Sequence, residues 1–223
     1  MHSHEAVDDD SCTRMLLPLL HTLEVRSLLD VGSATGRGLP KLSHGLPDAL
    51  ICGIEPVEAL VRHGISSGVN QGLPLLLASG EALPFADKTF DAVCEFGILH
   101  HVPESPRVIQ EMLRVARNVV VISDANRFGQ GPLALRIIKL LLYKLRLWNV
   151  FLRTRGKRYQ VSAGDGVFYS YSVYDNYHQI QEWADNIYLF PIGEARSWSW
   201  FHPLLTSGSV LLIAVRKKQA SGA

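Results

Sequence analysis

The sequence of 223 residues is poor in cysteine and has no large excess of either charge. Its three cysteines, Cys12, Cys52 and Cys94, are widely spaced, which argues against a disulfide framework and a paired zinc site. We therefore expect free thiols, a reducing cytoplasmic location and no bound metal. The formal net charge of +1 excludes general electrostatic binding of nucleic acid, so we expect no nucleic-acid partner.

The chain also lacks a targeting pattern and a membrane-spanning pattern. Residues 1–11 include three consecutive aspartates and no apolar run, so we expect no secretory signal. The apolar stretch 133–152 contains four basic residues, and each central one costs about 2.5–3.5 kcal/mol on insertion into a bilayer. A composition of 47% hydrophobic and 19% charged residues is typical of a globular protein, and we expect one domain over 1–223.

Strand and helix patterns alternate five times over the first 124 residues. Apolar strand patterns occupy 25–31, 49–54, 73–78, 90–96 and 118–123, and helical patterns occupy 12–23, 37–44, 56–63 and 104–115. This alternation predicts an α/β fold with a doubly wound, mostly parallel sheet. Ligands of such sheets bind outside the carboxyl ends of the strands, so the residues just after each strand are the candidates for a site.

The turn after the first strand has the sequence D-V-G-S-A-T-G-R-G. A dinucleotide site requires G-x-G-x-x-G, and its three glycine positions hold Gly32, Ala34 and Arg37 here. Arginine at the third position is too bulky for close packing of helix on strand, which disfavours NAD. The spacing acid-x-Gly-x-Gly-x-Gly is met at Asp30, Gly32 and Gly36, with Ala34 in the middle. This spacing resembles motif I of the class I S-adenosylmethionine-dependent methyltransferases.

An acidic residue ends the second strand pattern. Glu55 is followed by Pro56, which stops the strand. The two oxygens of a carboxylate can accept hydrogen bonds from both hydroxyls of a ribose. An acid at this position suits NAD and S-adenosylmethionine equally, so it indicates a nucleoside and leaves the choice open.

Three further motifs distinguish between these cofactors. The sequences S-G-E-A-L-P-F from Ser79, F-D-A-V from Phe90 and L-H-H-V from Leu99 resemble signatures of the type 11 methyltransferase domain, the subfamily that includes the ubiquinone and menaquinone methyltransferases. The resemblance covers about residues 25–124. The family usually has an aspartate, which accepts from the adenine amino group, where this chain has Ser79. Either the serine hydroxyl accepts this bond more weakly or Glu81 reaches the adenine.

The resemblance implies S-adenosylmethionine as the cofactor and methyl transfer to an oxygen, nitrogen or carbon of a small molecule. It also implies a cofactor site. Asp30 orders the turn, Glu55 and the adjacent Pro56 meet the ribose, and Phe96 covers the nucleoside. The methionyl end then meets Gly32, Ser33, Ala34 and Gly36, and the adenine meets Ser79, Gly80, Glu81 and Ala82.

Polar residues after the fourth and fifth strands are candidates for the acceptor side of the site. His100 and His101 can act as a general base near pH 7, with His101 the slightly stronger candidate, or one of them only holds the loop. Because positioning can supply most of the acceleration, a base is optional. Asp124, Asn126 and Arg127 either contact the acceptor or stabilise a turn.

A strongly basic stretch follows residue 135. It contains no acid and eight bases: Arg136, Lys139, Lys144, Arg146, Arg153, Arg155, Lys157 and Arg158. Three interpretations stay open: a lid helix with a solvated basic side, a wall facing an anionic or lipid-like acceptor, and a peripheral membrane contact. The alternative function is a catalytically silent S-adenosylmethionine-binding protein that acts through a partner or a membrane surface. The sequence indicates no oligomeric state.

Together these patterns predict a seven-stranded sheet with a helical insertion after strand 5. We divide the domain into a cofactor-binding half, 12–124, a helical insertion or lid, 125–185, and a terminal hairpin, 186–223. The stretch 133–152 is predicted as one helix. The last strand is predicted at 209–215, and its antiparallel partner is either 187–192 or 195–200.

Overall fold

The computed structural model describes residues 3–154, 159–162, 166–192 and 202–216. Its strands are β1 (Ser27–Val31), β2 (Leu50–Glu55), β3 (Leu75–Leu77), β4 (Phe90–Phe96), β5 (Ala116–Ala125), β6 (Tyr159–Ser162), β7 (Gly166–Tyr169), β8 (Asn186–Ile192) and β9 (Ser209–Val215). Its α-helices are α1 (Ser3–Thr22), α2 (Leu39–Gly45), α3 (Glu58–Ser67), α4 (Ser105–Val115), α5 (Leu133–Lys144), α6 (Trp148–Thr154) and α7 (Tyr177–Trp183).

Seven of the strands form one sheet in the order β3-β2-β1-β4-β5-β9-β8. Strands β1 to β5 pair in parallel, whereas β9 is antiparallel to both of its neighbours. The predicted doubly wound, mostly parallel seven-stranded sheet is therefore confirmed. The partner of β9 is β8, which corresponds to the 187–192 alternative, while the other alternative, 195–200, lies outside the described residues.

Helices pack on both faces of this sheet and bury two apolar cores. On one face α1 buries Leu16 and Leu20, one helical turn apart, against the strands and α2. On the other face α4 buries Val108, Ile109 and Met112, which recur at the spacing of one helix side. The central strands are covered on both faces, so they are continuous apolar runs, and this is why their positions are evident in the sequence.

The predicted helix 133–152 is two helices, α5 and α6, with a break between them. Arg146 has a φ of 59°, and its amide donates to the Tyr143 carbonyl at 2.9 Å. The Leu147 amide donates to the Leu142 carbonyl at 2.8 Å. This pair of bonds is the Schellman motif, which usually has glycine at its left-handed position. Because arginine occupies that position here, the sequence does not reveal the end of the helix.

The segment after β5 is also less purely helical than predicted. Strands β6 and β7 pair as an antiparallel hairpin, which adds a strand element to the predicted helical insertion. Three bases of the predicted basic stretch, Arg155, Lys157 and Arg158, lie outside the described residues.

The buried guanidinium of Arg127 connects this segment to the rest of the fold. It donates to both carboxylate oxygens of Asp175 and to the Ser170 carbonyl at 2.7 Å. The rings of Tyr143 and Trp148 lie over it at 5.4 and 5.1 Å. Arg127 therefore joins the turn after β5, helices α5 and α6, and the chain before α7.

Replacement of Asp175 tests this connection. We expect Asp175→Ala to lower the free energy of unfolding by about 3 kcal/mol, because the buried Arg127 would lose its counter-charge. Urea unfolding at neutral pH measures the change. The control is Glu182→Ala, on exposed α7 surface, which should change stability by less than about 0.5 kcal/mol. Equal effects of the two substitutions would contradict the role of the pair.

Candidate functional site

Backbone amides of the turn after β1 donate hydrogen bonds to carbonyls of the protein. Gly32, Ala34 and Gly36 have positive φ angles of 80°, 50° and 73°. The amides of Gly32 and Ser33 both donate to the Ile54 carbonyl at 2.9 Å, and the Gly36 amide donates to the Ser33 carbonyl at 2.7 Å. Because these N–H groups already have acceptors, they form no cradle for a pyrophosphate. The geometry of the turn thus argues against a dinucleotide, as the sequence does.

Glu55 is buried at the carboxyl end of β2 and contacts the same turn. Its Oε2 accepts from the Ala34 amide at 3.1 Å, and its Oε1 accepts from the Val57 amide at 3.0 Å. Each carboxylate oxygen has two lone pairs, so each keeps one acceptor position for a further donor. The adjacent Pro56 is exposed. Glu55 therefore holds Ala34 in its left-handed conformation and can still accept from a diol.

A cavity of about 430 Å³ lies at the carboxyl ends of β1, β4 and β5. Two buried carboxylates, Asp30 and Asp124, line it, and the Ser33 hydroxyl donates to Asp30 Oδ2 at 2.7 Å. Arg37 and Lys41 add positive charge to the lining. The remaining candidates that line this cavity are Gly32, Ala34, Phe96 and His100. A ligand of this cavity can therefore carry both charge signs.

The loop after β3 lies outside the lining of this cavity. It carries Ser79, Gly80, Glu81 and Ala82, which are among the described residues and do not line the cavity. The Ser79 hydroxyl accepts from the Glu81 amide at 3.2 Å, a local turn contact. Glu55, Pro56 and Gly36 also lie outside the lining. The structure thus brings the β1, β4 and β5 candidates together and leaves the β2 and β3 candidates beside them.

His100 lines the cavity and pairs with Asp124. The Nδ1 of His100 donates to Asp124 Oδ1 at 2.7 Å, which fixes the tautomer with Nε2 as the acceptor nitrogen. The other oxygen of Asp124 accepts from the amides of Leu99, at 2.8 Å, and His100, at 3.3 Å. This carboxylate therefore orients both the imidazole and the loop that carries it.

His101 has a different environment, although its ring lies 4.0 Å from that of His100. Its Nδ1 donates to the Val167 carbonyl of β7 at 2.7 Å, and it does not line the cavity. His101 therefore holds the β6–β7 hairpin against the loop after β4. The expectation that His101 is the stronger base candidate finds no support in this placement.

Asn126 and Arg127 also have structural partners. The Asn126 side chain donates to the carbonyls of Leu204 and Ser207 at 2.7 and 2.9 Å and accepts from the Ser172 hydroxyl at 3.0 Å. Of Asp124, Asn126 and Arg127, only Asp124, which lies near the end of β5, lines the cavity. Asp124 therefore faces the site, whereas Asn126 and Arg127 stabilise the fold.

Sequence reasoning missed two residues near the site. Thr13 of α1 lines the cavity, so the first helix contributes to its wall. Glu95 is fully buried, and its Oε2 accepts from the Ile98 amide at 3.0 Å, whereas its Oε1 has no hydrogen-bond partner among the described residues. Burial, followed by the charge of Asp124, raises the pKa of Glu95 well above its ordinary value. An acid within an apolar strand is the signal that could have identified it.

Comparison with known proteins identifies relatives of this chain. Residues 29–122 match the family model described as a methyltransferase domain. Demethylmenaquinone methyltransferase from Roseiflexus castenholzii is 34% identical over 122 residues, which cover 51% of this chain and 51% of that protein. Phosphatidylethanolamine N-methyltransferase from Cereibacter sphaeroides is 34% identical over 110 residues, covering 48% of this chain and 54% of that protein. The chain spans about half the length of these curated relatives.

A solved structure with the same fold is that of magnesium protoporphyrin IX methyltransferase from Synechocystis PCC 6803 with bound SAH. Its TM-score is 0.60 at 14% identity, and the superposition covers 94% of this chain and 83% of that chain. Such a low identity shows the fold alone. Together with the family match, it confirms the resemblance drawn from the motifs.

The raised pKa of Glu95 predicts a pH-dependent stability. The stability that this group contributes is complete below the pKa of the unfolded state, about 4.3, and is lost as the pH rises toward the raised folded-state pKa. We expect Glu95→Gln to be more stable than the native protein, by an amount that grows from about pH 5 to about pH 8 and exceeds about 1 kcal/mol. Urea unfolding across this range measures it. Glu58→Gln, at an exposed site, is the control, and parallel curves for Glu95→Gln and native protein would contradict the expectation.

Proposed function

We propose that the chain transfers a methyl group from S-adenosylmethionine to a small-molecule acceptor, on the basis that residues 29–122 match the methyltransferase domain model. One observation carries the proposal: the glycine turn after β1 and the His100–Asp124 pair border the same cavity. The turn suits a nucleoside cofactor without pyrophosphate, and the pair suits an acceptor that must lose a proton.

The residues of the site fit this cofactor. The cavity volume of about 430 Å³ falls within the range of about 300–1,000 Å³ that small-molecule sites have. The lining contains carboxylates, Asp30 and Asp124, and cations, Arg37 and Lys41, as a ligand with ammonium, sulfonium and carboxylate groups requires. Glu55 retains one acceptor position on each oxygen for the two ribose hydroxyls.

We assign the cofactor contacts accordingly. Asp30 orders the turn through Ser33, Glu55 accepts from the ribose with Pro56 beside it, and Phe96 covers the nucleoside. The methionyl end is held by Gly32, Ser33, Ala34 and Gly36, and the adenine by Ser79, Gly80, Glu81 and Ala82. When bound, S-adenosylmethionine supplies an electrophilic methyl group, so that transfer depends largely on in-line positioning of the acceptor.

His100 acts on the acceptor. Its Nε2 accepts the proton that the acceptor atom loses, while Asp124 holds the Nδ1–H and stabilises the imidazolium. Asp124 accepts four hydrogen bonds, from the amides of Leu99, His100 and Ala125 and from the ring of His100, and these contacts fix its orientation. His101 keeps the loop in place through Val167.

The acceptor is inferred to be lipid-like. The two curated relatives act, by their names, on a quinone and on a phospholipid. Arg37 and Lys41 at the cavity favour an acceptor or cofactor group with negative charge.

The three cysteines are thiols, which supports a reducing, cytoplasmic location for the reaction.

Substitution of Glu55 tests the cofactor assignment. We expect Glu55→Ala to weaken binding of S-adenosylmethionine at least about tenfold, since a hydrogen bond to a charged group contributes about 1.5–3 kcal/mol. Isothermal titration calorimetry measures the affinity, with Glu58→Ala on the exposed start of α3 as the control. If the native protein binds neither S-adenosylmethionine nor S-adenosylhomocysteine, the proposed function is wrong.

Substitution of His100 tests the catalytic assignment. We expect His100→Ala to lower turnover about 100-fold or more and to leave cofactor affinity within about twofold, because general-base catalysis contributes about 10²–10⁴-fold. The assay follows S-adenosylhomocysteine release with phosphatidylethanolamine and a demethylated quinol as acceptors. His178→Ala, on exposed α7 surface, is the control. A larger loss of turnover for His101→Ala than for His100→Ala would contradict the assignment. Binding of S-adenosylmethionine without methylation of either acceptor would favour the alternative of a catalytically silent binding protein.

A further inference from the structure

Helix α5 exposes its apolar side and turns two of its three cations, Arg136 and Lys139, toward the protein. Ala134, Ile137, Ile138, Leu141 and the cap residue Leu145 share one side of the helix, and all five are exposed. Every described residue of the helix is at least partly accessible to solvent, and none is buried. A surface helix of a globular protein normally has the opposite arrangement, with its apolar stripe facing the core.

The two cations in the middle of α5 hold it in this orientation. Arg136 donates to the Leu205 carbonyl at 2.7 Å and to the Gly131 carbonyl at 2.6 Å. Lys139 donates to the Arg127 carbonyl at 3.0 Å and to a second carbonyl at 3.1 Å. Burial, and then the charges of Arg127 and Arg136, lower the pKa of Lys139. These contacts fix the helix with its Ile and Leu side chains outward. A solvated basic side, one of the three interpretations left open by the sequence, therefore does not describe Arg136 and Lys139.

The outward apolar side of α5 lies in a segment of the chain that is rich in exposed apolar side chains. Among the described residues, 11 of the 18 exposed large hydrophobic side chains lie between 133 and 167: Leu133, Leu135, Ile137, Ile138, Leu141, Leu145, Leu147, Val150, Tyr159, Val161 and Val167. Within this segment the outward side of α5 forms a contiguous apolar stripe, which indicates an interaction surface. None of the described residues of α5 lines the cavity.

The charge near the outward side of α5 indicates which kind of partner binds there. Lys144 and Arg146 are exposed at the end of α5, and the sequence has no acid from Ala125 to Gly164. A second copy of the chain would bring two positive surfaces together without compensating carboxylates. An anionic lipid surface supplies both the apolar layer and the negative charge.

We propose that α5 and the start of α6 dock the protein on a lipid bilayer with anionic headgroups. The apolar side of α5 enters the boundary between headgroups and acyl chains, with its 12 residues, about 18 Å, lying along the surface. Lys144 and Arg146 contact the headgroups. Among the residues that the structure describes, no helix is long and apolar enough to cross a bilayer. This inference concerns a surface outside the cavity and does not require methyl transfer.

Vesicle flotation with the full chain tests the proposal. We expect the native protein to float with vesicles of equal parts phosphatidylglycerol and phosphatidylcholine and to bind at least about fivefold less to phosphatidylcholine alone. The double variant Ile138→Ser and Leu141→Ser should reduce binding to the mixed vesicles at least about tenfold. Lys144→Glu should reduce binding about fivefold or more, and high salt should reduce it further.

The matched control is the double variant Ile65→Ser and Leu77→Ser. These residues are as exposed as Ile138 and Leu141 but lie on α3 and β3, and their replacement should leave vesicle binding unchanged. Circular dichroism and urea unfolding show whether each variant is folded. Failure of the native protein to bind S-adenosylmethionine would contradict the proposed function alone. The docking proposal is overturned if the native protein binds neither vesicle, if both double variants lose binding equally, or if Ile138→Ser with Leu141→Ser only converts a dimer to a monomer.

Discussion

The hydrogen bonds of the buried Asp124 side chain are the interaction on which the arrangement of the cavity depends. It lies near the end of β5 and accepts from the amides of Leu99 and His100 in the loop after β4. Its other oxygen accepts from the His100 ring at 2.7 Å. A buried carboxyl group is stable only when its hydrogen-bonding capacity is satisfied, and the loop after β4 supplies these donors. The same contacts that satisfy Asp124 therefore place the imidazole in the cavity.

The fold of the central sheet could be predicted because it depends on residue patterns within short segments of the sequence. Strands buried on both faces are largely apolar, and parallel strands need crossover connections, which are usually helices, so alternation in the sequence predicts the topology. The glycine turn and Glu55 could be predicted for a related reason. Positive φ angles at Gly32 and Gly36 restrict the residue type, so the requirement of the backbone is visible in the sequence.

The remaining features depend on contacts between distant parts of the chain. His100 and His101 are adjacent in sequence and differ only in their partners, Asp124 and the Val167 carbonyl, which lie 24 and 66 residues away. The end of α5 is hidden because Arg146 occupies a position that glycine usually takes. Patterns of residue type cannot distinguish such cases, since each depends on which acceptor the fold brings within reach.

The orientation of α5 follows from the same principle and explains its exposed surface. Backbone carbonyls at Gly131, Arg127 and Leu205 lie beside the helix. Arg136 and Lys139 satisfy these acceptors, so the helix turns its cations inward. A helix of such uniformly apolar and basic composition must then present Ile138 and Leu141 outward. The exposure is thus a consequence of hydrogen bonding at the rear of the helix, and a bilayer is the surface that can compensate it.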